Sequence, residues 1–129
     1  MTDDSWAGGI DAITLFVEDL PAAREFYQHA FDLPIHFEDD ASCVFRIGST
    51  LVNLLKVQEA DELVTPARVA GPEPGVRFQL TIGVDDVDAI CERLRDRGVE
   101  LLNGPIDRPW GVRTAAFRDP AGHVWEIAR

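Results

Sequence analysis

Residues 112–129 read VRTAAFRDPAGHVWEIAR, and the interpretation of this stretch decides the fold. Two runs rich in β-branched and aromatic residues flank Asp119-Pro120-Ala121-Gly122. Proline presets one turn dihedral and glycine accepts a positive one, so the stretch reads as a hairpin. Its second arm alternates, with Val124 and Glu126 on one face and Trp125 and Ile127 on the other. A carboxylate on a partly covered face calls for a cation, a donor or water, because an unpaired buried charge costs roughly several kcal/mol. A solvent-facing glutamate near the chain end is the simpler alternative.

Upstream of the hairpin, residues 77–84 form a strand pattern, and Asp85-Asp86-Val87 introduces a helix. Its apolar face is Val87, Ile90, Cys91 and Leu94, and Gly98 is a natural stop. Residues 99–102, 112–118 and 123–128 follow as strands, with 104–111 as a long loop. The first half repeats this order. Residues 10–17 are a strand, Glu18-Asp19-Leu20-Pro21 opens a helix, and Leu20, Ala23, Phe26, Tyr27 and Ala30 make its buried stripe, ending before Pro34. Strands at 35–38, 42–47 and 51–57 complete the half.

Val17-Glu18-Asp19-Leu20 matches Val84-Asp85-Asp86-Val87, and at the same constant offset Leu20, Ala23 and Tyr27 fall on Val87, Ile90 and Leu94. Phe45-Arg46 likewise resembles Phe117-Arg118. The chain therefore reads as a single α+β domain spanning 1–129. Within it are two βαβββ repeats, 10–57 and 77–128, with a proline-rich linker at 58–76, and they form a curved mixed sheet around a pocket.

Twelve basic against 23 acidic residues give a net charge of −11. Such a surface repels nucleic acid and anionic lipid and attracts cations, although acidity also serves plain solubility. No apolar run is long enough to span a bilayer, and MTDDSWAGG has neither part of a secretory signal, so a cytoplasmic location is expected. Cys43 and Cys91 read as reduced, packed thiols. Residues 1–9 read as a mobile arm, with Trp6 an odd residue to leave in water. His29, His36 and His123 read as surface or satisfied histidines.

The stretches ITLFVEDLPAAREFY, TIGVDDVDAICERLRDRGVEL and PWGVRTAAFRDPAGHVWEIA together resemble the vicinal oxygen chelate superfamily of glyoxalases, bleomycin-resistance proteins and extradiol dioxygenases. The resemblance implies the glyoxalase/bleomycin-resistance fold. It also implies a divalent metal held from the first and fourth strands of each repeat. Carried over, those positions fall on Ala12, Asn53, Gln79 and Glu126. One carboxylate and two neutral amides do not repay the dehydration of a transition ion, whose tight sites use about three or four strong ligands. No metal and no cofactor are therefore expected.

What remains reads as a pocket for a small organic ligand. Asn53, Gln79 and Glu126 would supply hydrogen bonds and a charge, and Phe45, Trp110 and Gly111 an aromatic, closely approached wall. Trp125 alternates away from Glu126 and reads as core. The resemblance implies a metal-free binding or sequestration protein of the bleomycin-resistance type, with a cationic antibiotic as one guest and a homodimer as the assembly. The alternative is a lyase, isomerase or dioxygenase, with a metal or with Glu126 as catalytic general acid or base.

Overall fold

The computed structural model describes residues 6–73 and 75–129; the first part of the expected N-terminal arm lies outside them. The first repeat runs β1 (Ala12–Val17), α1 (Leu20–Ala30), β2 (Phe37–Glu38), β3 (Ser42–Ile47) and β4 (Thr50–Lys56). A 3-10 turn at Val57–Glu59 and a four-residue helix, α2 (Asp61–Val64), begin the connection. The second repeat runs β5 (Gln79–Gly83), α3 (Val87–Asp96), β6 (Leu101–Asp107), β7 (Arg113–Arg118) and β8 (Val124–Ala128). The fold is α+β with two βαβββ modules, as expected.

Each helix starts for the same reason. Asp19 accepts from the Ala22 N–H at 3.0 Å, and Asp86, its counterpart in the second repeat, accepts from the Ala89 N–H at 3.1 Å. Both satisfy amides that a helix N-terminus otherwise leaves open. Pro21 sits in the first turn, where a missing N–H costs nothing. Glycine at position 98, with φ +81°, ends α3, and the Gly98 and Val99 amides close onto the Arg95 and Leu94 carbonyls.

Each module forms its own four-stranded mixed sheet, ordered β1-β4-β3-β2 and β5-β8-β7-β6, so the strands do not merge into one continuous sheet within a chain. The reason is where the apolar faces go. Leu15, Val17, Cys43, Phe45, Val52 and Leu54 of the first sheet join Ala115, Phe117, Trp125 and Ile127 of the second, with Tyr27 and Leu94 of the helices, in one core. Burying both helix-side faces against each other removes the most apolar surface from water, at roughly 25 cal/mol per Å². The opposite face of each sheet is turned away from this core. Aromatic packing ties the modules together: Phe31 lies 5.7 Å from Phe117 and 5.2 Å from Trp125 between ring centres. Arg97, at the end of α3, pairs with Asp32 and donates to the His29 carbonyl at the end of α1.

Three boundaries differ from the sequence reading. β2 is only two residues long. The linker contains helical turns. β6 runs through Gly104-Pro105, which read as loop; the strand absorbs them by shifting register twice against β7. Gly104, at φ +89°, is where the backbones come closest, since a Cβ there would stand 2.5 Å from the Thr114 carbonyl oxygen.

Candidate functional site

The strand registers fix which side chains share a face. In the first sheet Thr14 of β1 stands beside Asn53 of β4, and Asn53 beside Val44 of β3. In the second sheet Thr81 of β5 stands beside Glu126 of β8, and Glu126 beside Ala116 of β7. Thr14 and Thr81 occupy the same position in the two repeats, so Asn53 and Glu126 are structural equivalents. Both alternate with core residues, Leu54 and Trp125 among them, and therefore lie on the outward faces.

The two environments differ. The Thr81 hydroxyl donates to Glu126 Oε1 at 3.0 Å, and the side chain is half-buried. Asn53 Oδ1 is buried and has no hydrogen-bond partner. An orphaned acceptor of this kind costs about 1–3 kcal/mol, and native proteins keep few of them. Around it Phe16, Val44, Leu51 and Leu55 make the outward face largely apolar, with Phe37, 54% exposed, beside Val44, while Thr14, Ser42 and Arg46 share the same face. The matching face of the second sheet is polar. Arg108 donates to the buried Thr114 hydroxyl at 2.9 Å and to Asn103 Oδ1 at 3.2 Å, and Arg118 shares the face with Glu126.

Ala12 and Gln79 lie one row away, beside Leu51 and Val124, and both are exposed. The four positions at which the resemblance puts metal ligands thus hold one carboxylate, already hydrogen-bonded, two amides and a methyl group. This donor set does not fit a divalent transition ion. Among the described residues, no group of three or more His, Cys, Asp or Glu side chains is arranged to hold one.

The aromatic residues expected at the pocket are placed elsewhere. Phe45 is fully buried on the core side of β3, its ring 5.9 Å from Tyr27, and forms no pocket wall. The register pairs it with Val52, not Asn53, which turns it toward α1. Trp110 is 72% exposed in the turn before β7, and the adjacent Gly111 adopts φ +96° with open space around it. Within one chain Asn53 and Glu126 stand on separate sheets facing away from the shared core.

A buried network went unread in the sequence. The Trp125 indole N–H donates to the Tyr27 hydroxyl at 2.9 Å, and that hydroxyl donates to Asp119 Oδ2 at 2.7 Å. Nδ1 of His123 is 2.8 Å from the same oxygen, while Oδ1 accepts from the Ala121 and His123 amides at 3.0 and 2.9 Å. The Asp119 side chain is wholly buried. Desolvation, first, and the adjacent Asp119 charge push the Tyr27 phenol far above its ordinary range, so the hydroxyl stays protonated. Burial likewise raises the thiols of Cys43 and Cys91, which keeps them protonated and unreactive. The one sequence signal for the network was the aspartate opening the hairpin turn.

Two concavities lie elsewhere on the molecule. One, about 1040 Å³, runs between α1 and the stretch from Arg97 to Leu102. The other, about 260 Å³, lies between β1, the linker and the hairpin turn. Neither is lined by Asn53, Gln79 or Glu126.

Two βαβββ modules, each a four-stranded mixed sheet, with Asn53 and Glu126 at matching outward positions define the fold class of the chain. The chain belongs to the Glyoxalase/Bleomycin resistance protein/Dioxygenase superfamily, whose pattern matches residues 9–127. It is 34% identical over 119 residues to the uncharacterized protein YraH of Bacillus subtilis, covering 89% of this chain and 93% of that one. A glyoxalase/bleomycin resistance protein/dioxygenase from Nocardioides superposes with a TM-score of 0.80 at 27% identity, over 93% of this chain and 82% of that one. A glyoxalase-related enzyme from Fulvimarina pelagi gives the same TM-score and identity, over 94% and 87%.

Proposed function

We propose that this chain binds a small organic molecule without a metal ion and sequesters it. The observation that carries the reading is the buried, partnerless Oδ1 of Asn53 on the outward face of the first sheet. A protein that gained nothing from that acceptor would be more stable with a leucine there. A guest that donates an N–H or O–H to it recovers the missing hydrogen bond at the moment of binding. Glu126, held by Thr81, is the equivalent position on the other sheet and favours a guest with a positive charge. The net charge of −11 raises the local concentration of such a molecule.

In this reading a second copy of the chain closes the site. The apolar outward face of the first sheet, with Phe16, Val44, Leu51 and Phe37, is the kind of surface a soluble protein covers. The polar outward face of the second sheet, taken from a partner, would bring Glu126 opposite Asn53. A symmetric pair does this twice.

The test is native mass spectrometry with elemental analysis of the purified protein, followed by thermal shift against planar cationic and neutral aromatic compounds. A bound organic mass or a saturable upward shift, lost in Asn53→Leu, is expected. A stoichiometric transition metal whose removal by chelator abolishes binding would overturn the reading.

A further inference from the structure

The smaller cavity is roofed by the linker. Pro72 approaches Gly122 of the hairpin so closely that a Cβ on Gly122 would stand 3.2 Å from the proline Cβ, and Gly122 also adopts φ +94°. Both facts make glycine the residue that lets the linker lie down on the turn. The walls beneath it are Phe16 of β1, Val76 at the end of the linker, Phe78 just before β5 and the imidazole of His123, with the Thr14 side of β1 at one end. Phe78 is stacked on His123, with ring centres 6.3 Å apart and planes 21° from parallel.

The hydrogen bonds behind His123 determine which of its nitrogens is free. An indole N–H only donates, so the Tyr27 oxygen must accept from Trp125 and send its own proton to Asp119. Asp119 then accepts from Tyr27 and from two backbone amides, and the fourth approach, from His123 Nδ1, must also be a donor. Whenever the imidazole carries a single proton, that proton therefore sits on Nδ1 and Nε2 keeps an open lone pair. No group among the described residues hydrogen-bonds Nε2. A buried carboxylate that fixes the tautomer and orientation of a histidine is the arrangement that makes the outer nitrogen a defined acceptor.

We infer that this cavity is a second ligand site, adjoining Asn53 through Thr14 but lined by neither Asn53 nor Glu126, and that it takes a single-ring aromatic molecule bearing an O–H or ring N–H donor, anchored on His123 Nε2. The size supports one ring: about 260 Å³ is room for it, given that cavities of about 150 Å³ hold benzene. Phe16 and Phe78 provide flat apolar walls, and the donor requirement follows from the tautomer. Glu18 and Arg77 also line the cavity, and their opposite charges leave it without a strong bias of sign.

The test uses the full chain, labelled with nitrogen-15, titrated with phenol and, separately, with toluene, which has the ring but no donor. Long-range proton–nitrogen spectra of the free protein are expected to show His123 as the Nδ1–H tautomer. Phenol is expected to shift the His123 Nε2 resonance and the Phe78 and Val76 amides saturably, and to bind at least tenfold more tightly than toluene. His123→Phe, which keeps a ring against Phe78, is expected to erase that preference, and His123→Gln, which restores an acceptor, to recover part of it. An Nε2–H tautomer, equal binding of phenol and toluene, or shifts confined to residues away from the cavity would each overturn the inference. Because Thr14 lines the cavity and stands beside Asn53, the titration is repeated in Asn53→Leu: phenol shifts at His123 and Phe78 that persist are expected, and their loss would overturn the separation of the two sites.

Discussion

Tyr27→Phe removes one oxygen from the centre of the molecule. The ring, its packing on Phe31 and Phe45 and the helix are all retained, so the change isolates the hydrogen bonds. Two are lost. The bond to the Asp119 carboxylate, with an ionised acceptor, is worth about 1.5–3 kcal/mol. The Trp125 N–H, buried and now without an acceptor, adds a desolvation cost of about 1–3 kcal/mol. Relief from burying the hydroxyl offsets part of this, leaving an expected loss of roughly 3–4 kcal/mol. For a chain of 129 residues that corresponds to a melting temperature lower by about 10–15 °C. Urea unfolding followed by far-UV dichroism measures the free energy directly. Combined with Trp125→Phe, the pair should show a coupling of about 1 kcal/mol or more, because the indole N–H matters only while its acceptor is present. A Tyr27→Phe protein within about 0.5 kcal/mol of the wild type would refute the reading of Tyr27, Asp119 and Trp125 as a stabilising hydrogen-bonded network.

Asn53→Leu is expected to leave the fold unchanged or stabilise it by about 1 kcal/mol, since it replaces an unsatisfied acceptor with an apolar group, and to abolish ligand-induced thermal shift; destabilisation by more than about 1 kcal/mol would show that the acceptor has a partner. Gly104→Ala combines a left-handed backbone with a Cβ pressed to 2.5 Å from the Thr114 carbonyl, so a loss of about 3 kcal/mol or more, read by thermal unfolding, is expected. Stability should also fall with alkali. The phenol of Tyr27 and the thiols of Cys43 and Cys91 have folded pKa values above their unfolded ones, so their contribution is complete below the unfolded values, about 8.5 for thiol and 10 for phenol, and is lost as pH rises past them. Urea midpoints from pH 7 to about 11 should decline, and less steeply in Tyr27→Phe.

The duplication was legible in the sequence because it rests on local chemistry that recurs at one fixed spacing: an aspartate cap, an apolar stripe and a strand. The equivalence of Asn53 and Glu126 does not fall on that spacing and followed only from the family resemblance; their pairing with Thr14 and Thr81, which do fall on it, puts the two at matching positions. The facing of β3 was not. Val44 and Phe45 are both apolar, and only pairing with β4 decides which of them meets α1. The strand through Gly104-Pro105 was hidden because those residue types usually mark loops, whereas here a double register shift accommodates them. The Asp119 network joins residues 92 and 98 positions apart, and no periodicity reports such a contact.

The back-to-back arrangement of the two sheets separates the shared packed interior from the two outward faces. Substitutions at Phe16, Val44, Leu51, Arg118 or Glu126 alter the outer walls without entering the packed interior between the helices. Under the binding role proposed above, a lineage built on this plan can exchange one guest for another by single steps that leave the packing of the interior intact.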